Sequence, residues 1–507
     1  METVTAAPPA TGGAPAGGAL ARGKLGTLDI VFFVVSAAAP LTVAVSSAPL
    51  SFLLGGIGAP GAMLASGLVL ILFSIGFTAM SRFVRNTGAF YAYAAAGLGK
   101  PVGIGVAFVT VMAYAFLLVG FYALLGFFAN ITVSNLLGID VHWGVWSGVS
   151  VVLIGVLGYR RIDVGAKVLA VLLSAEVLIL LVISIAAIVQ NGSAIGEATA
   201  ASFDPMNIFF VPGASVLFVF GFGAFLGFEG TVIYAEEAKH PDRTVPRATY
   251  IAIAFLAIFY AFTFWALTIA FGVDGILALA ASDQFEEMMF IAGEQSLGAW
   301  AGVVIQILVI TSFFACALAF HNACARYLFS LGRERLLPAP LARTHRRMHS
   351  PHIASIVLSA LSLAVVVVGA LSGTDPYLGL SLWTYAVGVA GLVFAQGVAA
   401  VSVIGFFRKD RRGFGFWRVV VAPILGAVGL LSAFAIIITH FDIVSGMEGP
   451  VNWILIGVVP VVFIGGIVVG LVMQRRSPER YAALTQSVTV VPSERADDRA
   501  RAAEPAR

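Results

Sequence analysis

Charge is what this chain lacks. Only 11% of its 507 residues are charged, against 60% that are hydrophobic, and the mean hydropathy is +0.99. No soluble domain of this length reads that way. Cysteine is nearly absent too. Cys316 and Cys324 share one apolar run, with no metal spacing and no disulfide framework, so both read as small core residues. The net charge of +3 gives no reason to invoke nucleic acid. There is no P-loop, which argues against a primary pump. There is no G-x-S-x-G or H-E-x-x-H motif, which argues against a membrane-embedded enzyme such as an acyltransferase using His321. Nothing resembles the repeated selectivity filter of a channel. The segment to Gly18 is rich in Ala, Pro, Gly and Thr and reads as disordered. It is not read as a signal peptide, because Arg22 and Lys24 precede a span too long for an h-region.

What the chain has is length in its apolar runs. A membrane-crossing helix needs about 20 apolar residues. Twelve candidates are present, at 28–53, 61–80, 102–130, 145–158, 164–189, 209–235, 250–271, 299–328, 353–371, 380–407, 419–438 and 453–473. All 29 Lys and Arg lie in the tails, in alternate loops or at the helix ends bordering them, while the loops 139–144, 191–208, 272–298, 372–379 and 439–452 carry only acids and His. The positive-inside rule then places both termini in the cytoplasm of a multi-pass protein of the cell membrane. One missed or extra helix would scramble the alternation. The expected organisation is a disordered tail at 1–23, a membrane domain at 24–474 and a second disordered tail at 475–507. A short surface helix is expected near 285–291.

Two spans are interrupted. The first breaks at Ala39-Pro40. The sixth carries Gly221, Gly223, Gly227 and Gly230 together with a carboxylate, Glu229, at membrane depth. Glycine costs about 1 kcal/mol per helix residue relative to Ala, so this stretch favours unwinding, here placed at 222–227. Unwound backbone survives at that depth only inside protein or beside a water-filled cavity. Broken segments in matching positions of two halves point to an inverted-repeat transporter and its binding site. The halves are 24–190 and 209–407, with spans at 418–474 appended.

Three stretches carry a family resemblance. FGAFLGFEGTVIYAEEAKHPDRTVPRA in the sixth span, FHNACARYLFSLGRERLLP at the exit of the eighth and SRFVRNTGAFYAYAAAGLGKPVG between the second and third resemble motifs of the amino acid–polyamine–organocation superfamily of secondary transporters. The likeness runs from about Lys24 to Arg418. It implies an all-α membrane protein with a LeuT-like five-plus-five inverted repeat, spans one and six discontinuous, and substrate held between spans one, three, six, eight and ten. The family's G-[SA]-G triplet in the first span, whose amides meet a substrate carboxylate, reads here as Thr42-Val43-Ala44.

The candidate binding residues follow from the breaks and the resemblance. They are Pro40, Thr42, Val43 and Ala44 in the first span, and Phe222, Gly223, Ala224, Phe225 and Gly227 in the sixth. Tyr114 in the third, His321 and Asn322 in the eighth and Trp383 in the tenth are candidates by position. Glu229 and Glu176 are ionisable groups inside the membrane, a functional hypothesis by default. Either can carry a coupling proton; either can also be an inert, hydrogen-bonded carboxyl. The cytoplasmic charges Glu236, Glu237, Lys239, Asp242 and Arg243 read as a lock between loops or as plain anchoring. The expected activity is uptake of an amino acid or related amine, with exchange as the alternative. No cofactor is expected beyond a coupling proton or sodium ion; the expected partners are the small solute and the bilayer, not nucleic acid, and the oligomeric state is left open.

Overall fold

The computed structural model describes residues 25–85, 89–160, 166–233, 238–345, 347–348, 350–447, 449–484 and 489–490. Eleven helices in it are long and apolar enough to cross a bilayer: Thr27–Gly55, Ala59–Met80, Lys100–Leu137, Trp143–Arg160, Val171–Gln190, Pro241–Phe271, Ala299–Arg333, His352–Leu371, Pro376–Phe407, Trp417–Thr439 and Pro450–Arg476. The twelfth expected crossing, sixth in chain order, is the broken one: its first half is a short apolar helix at Ala214–Gly223. The spans are numbered first to twelfth below, in that order. The chain is a multi-pass membrane protein.

Proline and glycine punctuate these helices. Pro60, Pro101, Pro241, Pro376 and Pro450 each stand in the first turn of a span, where the missing N–H has no intrahelical partner to lose. Gly138 closes the third span in the left-handed region at φ 67, as a helix-ending residue does. Acidic loops form short surface helices instead of coil. Ile195–Phe203 and Pro205–Phe209 follow the fifth span, and Val273–Ala280, Phe285–Glu287 and Met288–Leu297 follow the seventh. The last two cover the surface helix expected near 285–291.

The helices pack as two groups. The second and seventh spans lie along one another, with the first against the seventh and the first half of the sixth against the second. The third, fourth, eighth and ninth form the other group, with the tenth and twelfth also against the third. The interior is one continuous apolar cluster.

Both expected interruptions are present. The first span is helical over Thr27–Ala38, breaks at Ala39 and restarts at Pro40. The sixth stays helical to Gly223, turns through residues 224–229 and resumes at Gly230. Its break therefore lies about two residues later than 222–227. Gly223 still closes an ordinary helical turn, and the reversal occurs at Gly227, whose φ is +96. Three spans include π-helical turns: Val43–Ser47 and Ser51–Gly55 in the first, Pro376–Ser381 in the tenth and Trp417–Val421 in the eleventh.

Of the tail at 475–507, expected to be disordered, residues 485–488 and 491–507 lie outside the described residues, while parts of the remainder form secondary structure. A short helix, Pro478–Ala483, follows the twelfth span. Thr489–Val490 then pairs antiparallel with Val84–Arg85, just after the second span. The pair is the one sheet among the described residues of an otherwise helical fold. The N-terminal segment 1–23 and the acids Glu236 and Glu237 lie outside the described residues.

Ala39 bears the backbone cost of the first break. Its φ is 46, a left-handed conformation that costs an L-residue about 1–2 kcal/mol. Ala39→Gly is expected to melt at or above the parental temperature in detergent. Ala39→Val is expected to be destabilised by about 1–2 kcal/mol, since a β-branched side chain fits that region worst. An unchanged melt for the valine variant would mean that the left-handed turn is not adopted.

Candidate functional site

The two breaks face each other. A Cβ built on Gly227 would stand 3.0 Å from the Cβ of Ala37, two residues before the break at Ala39. At each break a glutamate takes up backbone left loose by the unwinding. Leu41, just past Pro40, donates its N–H to Glu176 Oε2 at 3.4 Å. Gly227 donates its N–H to Glu229 Oε2 at 3.2 Å. Loose amides at the start of a half-helix carry partial positive charge, so a carboxylate answers them electrostatically as well as by hydrogen bonding. Glu176 is 5% exposed and Glu229 1%.

Each carboxylate also ties in another span. Ser312 in the eighth donates its hydroxyl to Glu176 Oε2 at 2.9 Å, and Thr42 donates to Ser312 Oγ at 2.9 Å. The first, fifth and eighth spans thus meet at one carboxylate. Tyr114 in the third span donates its hydroxyl to Glu229 Oε1. Its ring stacks on Tyr327 at 5.5 Å and meets Phe320 at 5.4 Å. From Phe320 an unbroken series of rings runs through Phe121 and Tyr385 to Phe220, in the first half of the sixth span. It ends at Gly223, where an added Cβ would stand 2.0 Å from the Tyr385 hydroxyl.

The sequence candidates divide accordingly. Pro40, Thr42, Glu176, Tyr114, Glu229 and Gly227 gather at the breaks, and Gly223 faces Tyr385. Val43 and Ala44 are buried in the π turn that follows. Ala224 is fully buried in the sixth-span turn. Phe225 turns toward Tyr260 in the seventh span and Gly67 in the second, and Phe222 packs on Phe218. His321 and Asn322 do not join the breaks. They lie against Gly158 of the fourth span, and His321 Nε2 pairs with Ser355 Oγ of the ninth at 2.8 Å. Trp383 donates its indole N–H to the Ser445 carbonyl at 2.8 Å, at the loop before the twelfth span. Sequence reasoning missed Ser312 and Tyr385. Ser312 belongs to a Thr-Ser pair inside an apolar helix, a signal open to reading. Tyr385 stands two residues past Trp383 in the same span.

Contacts close the chain on both faces around the breaks. On the face holding the chain ends, Leu25 bridges to Ala238, and the Lys239 N–H donates to the Leu25 carbonyl at 2.9 Å. Of the expected lock charges, Asp242 contributes its carbonyl, which accepts from Arg82 Nη2 at 2.8 Å. On the opposite face Tyr377 donates its hydroxyl to the Ser46 carbonyl at 2.6 Å. The Phe285 ring lies parallel over Tyr377 at 5.6 Å, with Phe127 also stacked on it at 5.3 Å. Asp375 accepts from the N–H groups of Tyr377 and Leu378 at the start of the tenth span. Beside this lid, burial and then the nearby Asp375 and Glu287 carboxylates push Glu286 up to about 7.

Comparison with known proteins gives one family and one fold. A family model described as amino acid permease matches residues 29–482. The chain is 28% identical over 181 residues to the cystine/glutamate transporter of Homo sapiens, covering 35% of this chain and 34% of that protein. It is 22% identical over 160 residues to the branched-chain amino acid permease BcaP of Bacillus subtilis (strain 168), covering 32% of each. The alignments thus span about a third of the length of these relatives. Among solved structures, MhsT in complex with L-phenylalanine superposes with a TM-score of 0.57 at 14% identity, over 80% of this chain and 98% of that one. That likeness shows the LeuT-like fold.

Two outcomes follow from this geometry. Adding a side chain at Gly223 is overpacking, which costs about 1–3 kcal/mol, or roughly five- to 150-fold if it falls on the binding-competent state. Gly223→Ala is expected to weaken solute counterflow in proteoliposomes by that order, and Tyr385→Ala to restore part of it; normal counterflow in the single variant would remove Gly223 from the site. Glu286 holds its proton more tightly folded than unfolded. Its contribution is therefore full below about 4.5 and lost as pH rises toward about 7, because the native state binds more protons across that window. Glu286→Gln is expected to flatten this decline in a series of thermal melts; an unchanged slope would clear Glu286.

Proposed function

Because the chain belongs to the amino acid permease family, we propose that it is a secondary transporter that carries an amino acid or related amine across the cytoplasmic membrane by alternating access. The chain is not an enzyme, as its family and neighbours are transporters. The observation that carries the proposal is the pair of facing helix breaks, closed toward both faces. A solute held there has unwound backbone, two carboxylates and a series of aromatic rings within one region, between helix groups that can part on either side.

Glu176 is the proposed coupling group, with the proton as the coupling ion. It joins three spans, and its partners suit either charge state. Ionised, it accepts from the Leu41 amide and the Ser312 hydroxyl. Protonated, it becomes a donor, and the serine hydroxyl can turn to accept. The first-span half-helix then loses the negative charge that answers its amides. A proton taken up or released at Glu176 therefore changes how firmly the first span is held to the fifth and eighth. Sodium coupling is the second reading, favoured by the oxygen-rich set of Thr42, Ser312 and Glu176.

Glu176→Gln separates these roles. Glutamine keeps size and hydrogen bonding but cannot titrate. Accumulation driven by a pH gradient in proteoliposomes is expected to fall to the level seen without a gradient, while solute exchange continues. Undiminished driven uptake would exclude Glu176 as the coupling site, and a requirement for external sodium would favour the second reading.

A further inference from the structure

The segment after the twelfth span has no part in the site, yet it is anchored at two places. The first is on the third and eighth spans. Lys100, at the start of the third, donates its ammonium to the Tyr481 and Ala482 carbonyls at 2.9 and 3.0 Å, and the same charge lies 5.3 Å over the Tyr481 ring. These carbonyls end the Pro478–Ala483 helix, where a cation is favoured. Leu484, only 2% exposed, then enters a small apolar cluster apart from the main core, with Tyr91, Ile104, Ala107, Leu331 and Leu336. Beneath it Tyr91 donates to Glu334 at the exit of the eighth span. The second anchor is the strand pair of Thr489–Val490 with Val84–Arg85. That strand follows the second span, three residues from Arg82, which holds the start of the seventh through Asp242.

The two anchors fall on different helix groups. The third and eighth spans belong to one, the second and seventh to the other. The Leu25–Ala238 bridge, between the entry to the first span and the exit of the sixth, closes the same face. For this face to open, the groups must part, and the C-terminal segment is fixed to both.

We propose that the C-terminal segment is a latch that holds the chain-end face of the carrier shut, so that its detachment speeds opening on that side. The proposal rests on the alternating-access reading, since only such a carrier has a face to hold shut. The contacts suit a reversible device: two carbonyl bonds to one ammonium, one inserted leucine and a two-residue ladder. Each can be lost without disturbing the main core.

Hydrogen–deuterium exchange on the protein in lipid nanodiscs tests this without any solute. Three chains are compared: the full chain, the chain ended after Arg476, and full-length Leu484→Ser. Exchange at the start of the first span and at residues 238–245 is expected to become about fivefold faster in both altered chains, because local opening sets exchange. Exchange in Met288–Leu297, on the opposite face, is expected to stay unchanged. Equal or slower exchange around Leu25 and Ala238 would overturn the latch. So would faster exchange everywhere, which would mark the segment as general support. If the shortened chain does not fold, Leu484→Ser decides alone. Absence of solute flux from liposomes of the full chain would strike the transport reading, a result separate from this one.

Discussion

A bilayer offers no hydrogen bonds to an open backbone, and the architecture of this chain follows from that constraint. Ten of its crossings meet it by staying helical. The first and sixth do not, and their loose amides must find partners within the protein. Glu176 and Glu229 supply them, each from one carboxylate oxygen. The same two residues then recruit neighbours: Ser312 and Thr42 at one break, Tyr114 at the other. Placing a carboxylate at this depth costs several kcal/mol. The loose amides and hydroxyl donors offset part of that cost. The breaks and the acids are therefore one feature and stabilise one another.

Much of this was legible in the sequence because it follows from crude quantities. Span count came from run length, and the breaks came from Ala39-Pro40 and the glycines around Gly223. The acids stood out because a charge inside a long apolar run has few bland explanations. The details that went astray depend on which way a helix is turned. His321 was placed with the substrate but faces Gly158 and Ser355. Trp383, a candidate by position, bonds the Ser445 carbonyl instead, and it is Tyr385, two residues on, that meets Gly223. Side-chain direction in a helix changes by about 100° per residue, so an error of one or two positions reverses the answer. The order at 478–484 and 489–490 has another cause: it comes from docking onto Lys100 and Val84, and no local pattern announces that.

Closure at the two faces uses different materials. Toward the chain ends it is backbone: a bridge at Leu25–Ala238 and a guanidinium on the Asp242 carbonyl. Toward the other face it is aromatic, with Phe285 and Phe127 stacked about Tyr377. Stacked rings slide at little directional cost, whereas backbone bonds are made or lost one at a time. The family match spans residues 29–482 and so takes in Tyr377, Phe285 and Phe127 of the aromatic closure, and Arg82 and Asp242 of the other.

The tenth span opens on a wide turn, Pro376–Ser381. A π turn holds one more residue than the α turn it replaces. Everything downstream in the tenth span is thereby rotated by roughly a quarter of a revolution relative to an uninterrupted helix. Tyr385 lies one turn downstream, with its hydroxyl against the sixth-span glycine. Tightening the turn to α would swing that phenol aside and open the space above Gly223 with no rotamer change at all.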